Sequence, residues 1–267
     1  MAAFSRSSKK LFQKQHLIHA FDLLRELIIR DIKVQYKSSM LGMAWTLVTP
    51  LMQLIVFYFI FCLVLPLNIP NYPSFAFSGM LVWTWFQMSL LQGASAVTNS
   101  RELVRRPGFP IAVLPVVSVL VNFINFLIAL PILLIFLLSS GNQLKFTIVL
   151  LPILMLLQFI FILSFTYLVA AINVVFRDTQ HILNILLNLF FYLTPVFYNV
   201  SAIPTQYQML YYLNPMVHII GAYRDVLLGG VMPNWFSMLL LGLLASSLLF
   251  TSYRIFMKMS YRFAEEL

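Results

Sequence analysis

Charge is what this sequence has least of. Only 9% of its 267 residues are Asp, Glu, Lys or Arg, while 61% are hydrophobic. A soluble domain carries about 25% charged residues. So few charges cannot cover a water-facing surface of this size, and the surplus apolar surface must face lipid. Cysteine is limited to Cys62, in an apolar run, which excludes an intrachain disulfide. The phosphate-binding G-x-x-x-x-G-K-[ST], the zinc-binding H-E-x-x-H and the nucleophile elbow G-x-S-x-G are all missing. The histidines His16, His19, His181 and His218 are too scattered for a metal cluster. Nothing here is catalytic machinery.

A cleavable signal peptide is also missing. Such a peptide sets a short apolar core directly behind a basic stretch, whereas residues 1–37 mix charge with apolar residues throughout. Ionisable groups are nearly absent inside the apolar runs. That argues against a proton- or ion-coupled transporter, which keeps Asp, Glu, His or Arg at membrane depth.

Charged residues punctuate the chain instead. None occurs between Lys37 and Arg101, Arg106 and Lys145, Lys145 and Arg177, Asp178 and Arg224, or Asp225 and Arg254. The first gap is too long for one helix and is broken by Pro66, Pro70 and Pro73. With about 20 apolar residues per crossing, the pattern predicts six spans. They lie at about 42–65, 75–97, 112–138, 147–172, 181–200 and 234–254. The stretch 201–233 carries three prolines and a Gly-Gly pair. It reads as short re-entrant or interfacial helices, because broken backbone at membrane depth must be shielded by protein or water.

With both termini cytoplasmic, fifteen of the seventeen Lys and Arg fall inside, leaving only Lys145 and Arg224 outside. A seventh span would put the basic C-terminal tail outside, against the positive-inside bias. The fold class is therefore all-α integral membrane, in one transmembrane domain over residues 1–267.

Before the first span, His19, Asp22, Glu26, Arg30, Lys33 and Lys37 recur every three or four residues, opposite Leu17, Phe21, Leu24, Ile28 and Ile32. Residues 16–37 thus read as an amphipathic helix lying in the membrane surface, with Glu26 and Arg30 spaced to pair. Arg30, Lys33 and Lys37 suit the phosphates of an anionic lipid carrier, or simply phospholipid headgroups. Between the second and third spans, TNSRELVRRPGFP (98–110) has capping residues at its start and Pro107-Gly108 at its end. It reads either as a short docking helix for a soluble partner or as a basic turn that satisfies topology.

Aromatics make up 15% of the chain. Trp83, Trp85, Tyr192, Tyr198, Tyr207, Tyr211 and Tyr212 fit an interfacial belt or a track on which sugar rings stack. Gln53, Asn122, Asn125, Asn173, Asn184 and Asn188 are embedded but uncharged and read as interhelical glue.

The segment RDIKVQYKSSMLGMAWTLVTPLM (30–52) resembles the junction between surface helix and first span in bacterial polysaccharide-export ABC permeases. In order, FSGMLVWTWF (77–86), NSRELVRRPGFP (99–110), NVVFRDTQH (173–181), YLTPVFY (192–198), IPTQYQMLYYLNPM (203–216) and YRFAEEL (261–267) resemble it too. The likeness is to the O-antigen type in particular, within a family that also includes teichoic-acid and capsule exporters.

The resemblance implies a homodimer working with two copies of a separate ATPase subunit, which would hold ATP and Mg. This chain itself is expected to carry no cofactor, no metal and no nucleic acid. Segment 98–110 would be the coupling helix, through Asn99, Arg101, Glu102, Arg105 and Arg106. Residues 201–229 would be re-entrant gate helices on the outer side. The substrate would be a lipid-linked polysaccharide crossing the inner membrane through a conduit between subunits. Two rival expectations remain open: an ABC permease for a drug or simple lipid, and a polytopic membrane enzyme. The second needs convergent carboxylates or histidines.

Overall fold

The computed structural model describes residues 21–37, 42–139, 141 and 145–266, and among them every regular element is helical. The chain divides into two units, residues 1–42 and 43–267.

In the first unit, helix α1 runs over residues 21–36, and Leu17 and His19 lie outside the described residues. Asp22, Glu26, Arg30, Lys33 and Lys37 are exposed, as the amphipathic pattern requires. The Glu26–Arg30 pair does not form. Arg30 bonds its neighbour Asp31 instead, with Nη2 2.8 Å from Oδ1. Both side chains are more than a third exposed, so the pair adds little stability.

The second unit begins with α2 (Trp45–Tyr58), continued by a π-helical turn, Phe59–Val64. The Pro-rich connection then turns with Asn68 and Asn71 at positive φ, a region Asn tolerates. Next come α3 (Tyr72–Ala96), the one-turn α4 (Arg101–Val104), α5 (Val113–Ser139), α6 (Leu151–Val175) and α7 (Thr179–Leu193). The chain ends with α8 (Thr205–Tyr212), α9 (Pro215–Arg224) and α10 (Trp235–Glu266). Among the described residues four stretches are long and apolar enough to cross a membrane: Gly42–Val64, Val113–Ser139, Phe146–Val175 and Trp235–Phe263. These match the first, third, fourth and sixth expected spans.

Helix α3 has the length for a span, 25 residues, but is less apolar than those four. Its position explains why. It is flanked by α2, α5, α6, α7 and α9, and 18 of its residues are buried. A helix wrapped in protein needs close packing more than it needs greasy side chains. A Cβ at Gly93 would overlap Thr166 Cγ2 of α6. Polar bonds add glue. Asn122 of α5 donates Nδ2 to Gln92 Oε1 and to the Ser118 carbonyl, both at 2.8 Å. Gln158 of α6 donates to the Val82 carbonyl at 2.9 Å.

Helix α7 has 15 residues, ending at Leu193 rather than near residue 200. Pro195 is the cause, because it forces Thr194 into extended geometry (φ −101°, ψ 137°) and stops the helix there. In contrast, α10 runs 32 residues and continues past residue 254. At 1.5 Å per residue it spans about 48 Å, well over the roughly 30 Å hydrocarbon core. Asn234 caps its start by accepting from the Phe236 and Ser237 N–H groups.

Candidate conduit and docking surfaces

The loop after α3 presents charge on one side and anchors on the other. A 3-10 turn, Thr98–Ser100, leads into α4. No side chain caps α4; instead the Arg101 Nε bonds back to the Thr98 carbonyl at 3.3 Å. Val97 and Val104 are buried, while Asn99, Arg101, Glu102, Arg105 and Arg106 are all exposed. Among the described residues none of Glu102, Arg105 and Arg106 has an ion-pair partner. Gly108 then turns the chain away at φ 80°. Helix α4 packs against α10, the helix that carries Arg254, Lys258 and Arg262. Solvated positive charge is therefore gathered around this part of the molecule.

Helix α7 is built differently from its neighbours. Of its residues only Leu187 and Phe191 are buried. Ile182, Ile185, Leu186, Leu189, Phe190 and Leu193 are exposed and apolar. Between these two faces runs a polar stripe of His181, Asn184, Asn188 and Tyr192, spaced three or four apart and all exposed. The stripe is tied to α3 by a chain of amides. Trp83 Nε1 donates to Gln87 Oε1 at 2.9 Å, Gln87 Nε2 to Asn188 Oδ1 at 3.2 Å, and Asn188 Nδ2 to Asn184 Oδ1 at 3.4 Å. Exposed amides cost free energy in hydrocarbon unless water or a polar partner meets them.

Beyond α7 the tyrosines converge. Tyr198 donates its hydroxyl to the Tyr192 carbonyl at 3.0 Å and lies 3.4 Å from the Tyr211 hydroxyl. The Tyr198 and Tyr211 rings meet edge to face, 6.4 Å apart. In this turn burial, then the Tyr211 hydroxyl, push the Tyr198 phenol up, so it stays a neutral donor. With Tyr207, Ile203, Pro204 and Leu210 these two rings line an open cavity of about 510 Å³. Phe197 locks the turn in place, its ring 5.1 Å from Phe57 and 5.3 Å from Phe61 of α2 and its π-helical extension.

The sequence-nominated aromatics thus split. Tyr198 and Tyr211 come together, while Tyr192 meets them through its backbone carbonyl and turns its ring onto Phe191 and Phe197. Tyr212 stands aside, half-exposed, its carbonyl oxygen 2.8 Å from His218 Nε2. Trp83 and Trp85 are each 2% exposed. Trp85 packs between Phe123 and Phe126 and donates to the Val119 carbonyl; Trp83 packs on Phe86 and Phe191. Both are core residues of the bundle here, because neighbouring helices cover the sides of α3 that carry them. Tyr207, one of the aromatics read as belt or track, joins the site, and so does Gln87, which the sequence did not single out. Tyr207 had a signal, four residues before Tyr211 on one helix face. Gln87 had none beyond being an embedded amide.

Comparison with known proteins follows the same lines. Residues 22–228 match the ABC-2 type transporter family. The chain is 37% identical over 247 residues to the O-antigen export system permease protein RfbA of Myxococcus xanthus, covering 92% of this chain and 95% of that protein. It is 32% identical over 253 residues to the protein of that name from Klebsiella pneumoniae, covering 94% and 97%. The Polysialic acid transport protein KpsM of Escherichia coli is more distant, 22% identical over 216 residues, or 79% and 81%. A family match over most of the chain, joined to apolar helices long enough for several crossings, makes this protein a multi-pass membrane member of the ABC-2 type transporter family.

Proposed function

We propose that this chain is the membrane-spanning subunit of an ATP-driven ABC exporter that moves a lipid-linked, O-antigen-like polysaccharide across the bacterial inner membrane. The observation that carries the reading is the likeness, over nearly the full length, to proteins named as O-antigen export permeases. In this reading the four long apolar stretches are joined by α3 and α7 to make six spans. Both termini are cytoplasmic, and α8 and α9 form a re-entrant pair on the outer side. With eight and ten residues, neither is long enough to cross alone.

Two copies face each other across α2 and α7, each of which buries only two residues within its own chain. The amide stripe Asn184–Asn188 with Gln87 supports a polar wall between them, since a hydrated sugar chain cannot cross hydrocarbon. Tyr198, Tyr207 and Tyr211 supply flat faces for sugar rings where the wall ends. A separate ATPase subunit, holding ATP and Mg, docks on the exposed Asn99, Arg101, Glu102, Arg105 and Arg106. Arg30, Lys33 and Lys37 meet the phosphates of the carrier lipid.

Deletion of the gene, followed by fractionation of the cells, tests the substrate. Loss of surface polymer with lipid-linked polymer trapped inside supports the reading. Unchanged surface glycan replaces it with export of a drug or simple lipid through the same architecture.

A further inference from the structure

Arg224 closes helix α9 and has no carboxylate partner. Its neighbour Asp225 does not pair with it, and among the described residues the Arg30–Asp31 contact is the sole ion pair. Its guanidinium is spent on backbone carbonyls. Nη1 donates to Pro195 O at 2.8 Å, and Nη2 to Val196 O at 2.6 Å and to Phe75 O at 3.3 Å. Cζ sits 3.5 Å above the Phe75 ring, and Nε is buried without an acceptor. Gly79 makes the seat possible: a Cβ there would lie 2.6 Å from Val196 O and 2.7 Å from Nη2. One cation therefore joins α9, the turn 194–198 and the first turn of α3.

The other end of α9 holds the same turn. Asn214 donates Nδ2 to Thr194 Oγ1 at 2.9 Å while its Oδ1 accepts from the Met216 N–H at 3.0 Å. Helix α9 thus clasps the turn at both ends, through Asn214 and Arg224. The bonds to the turn are short, and the contact to α3 is the longest of the set. Neutral carbonyls release a guanidinium more readily than a carboxylate does, because no buried anion is left behind.

We infer that Arg224 is the latch of the outer end. It positions the turn 194–198, and with it Tyr198, against α3, and the turn and α9 move as one piece when the Phe75 side of the latch lets go. This rests on the export reading only in calling that end outer.

The test uses the full chain in cells, with Cys62→Ser as background and Val196→Cys as reporter, since Val196 is fully buried. A membrane-impermeant maleimide added outside is scored per molecule of membrane-inserted protein. Labelling is slow with Arg224 in place. In Arg224→Gln and in Gly79→Ala, which displaces the guanidinium without removing it, the rate rises by about tenfold or more, the scale of one charge-assisted hydrogen bond. Arg224→Lys, a point charge without the planar fork, gives an intermediate rate. Equal labelling in all variants overturns the latch. So does disappearance of all three variants from the membrane to the same degree, which makes Arg224 a folding residue. If gene deletion leaves surface glycan intact while the labelling order holds, the latch stands and the export reading falls.

Discussion

Helices α3 and α7 both carry amides and aromatics through an apolar run, yet the bundle treats them in opposite ways. The polar atoms of α3 mostly turn inward and close on other helices, as Asn122 and Gln92 do across α5. Those of α7 turn outward in one stripe, with Asn184 and Asn188 exposed. Inside a protein a polar group is glue worth a fraction of a kcal/mol to about 2 kcal/mol. On a surface at membrane depth the same group is a cost, tolerated where water or a partner meets it. The contrast separates the part of this molecule that holds it together from the part available for transport.

The comparison breaks most visibly at Gly93. Gly93→Val drives a side chain into Thr166 at the α3–α6 contact, where no flexible tip can yield, and overpacking costs about 1–3 kcal/mol or more. Membrane-inserted protein should fall sharply on immunoblots, with thermal stability in detergent lowered. The parallel change Leu243→Phe on the exposed face of α10, away from the proposed contact between copies, should leave both unaltered.

Next comes a change that spares folding and removes work. Arg105→Glu with Arg106→Glu reverses two exposed charges without an ion-pair partner, so insertion should be normal. Export should be lost while ATP hydrolysis by the partner subunit continues. Normal surface polymer in this variant removes 98–110 as the coupling surface.

Asn184→Leu with Asn188→Leu sharpens the contrast directly. Detergent stability should hold or rise, because exposed amides become apolar, while surface polymer drops several-fold. Full export would mean that the stripe faces something other than the conduit. Asn122→Leu on the glue side should do the reverse: a stability loss of about 1 kcal/mol, read by thermal unfolding, with export per folded molecule unchanged.

The two kinds of helix were not equally legible. Charge gaps place α2, α5, α6 and α10 well, because a long apolar run has few other uses. The end of α7 is written in Thr194-Pro195, but the apolar run continues through Val196 and Phe197 and masks it. The extension of α10 was hidden by its basic residues, which end an apolar run but not a helix. Trp83 and Trp85 show what composition cannot decide: a tryptophan in an apolar run reads the same whether it faces headgroups or the core. The Arg224 clamp depends on Phe75, 149 positions away, and no local pattern announces a contact of that range.

Lys145 completes the comparison with the smallest effect. It and Arg224 are the two cations expected on the outer side, and both end on backbone carbonyls: Arg224 on those of the turn 194–198 and of α3, Lys145 on the segment that follows α9. Lys145 Nζ donates to Gly229 O at 3.1 Å, at the C-terminal end of the π-helical turn Asp225–Gly229, where a cation is favourable. Thr147 Oγ1 bonds Val226 O at 3.0 Å beside it. Lys145 is exposed, however, and one flexible ammonium in water holds a carbonyl weakly. Lys145→Met should therefore shift thermal stability by no more than about 0.5 kcal/mol and leave reporter labelling at Val196→Cys unchanged. A labelling rise as large as that of Arg224→Gln would mean that the whole α9 segment, rather than the Arg224 seat, holds the turn in place.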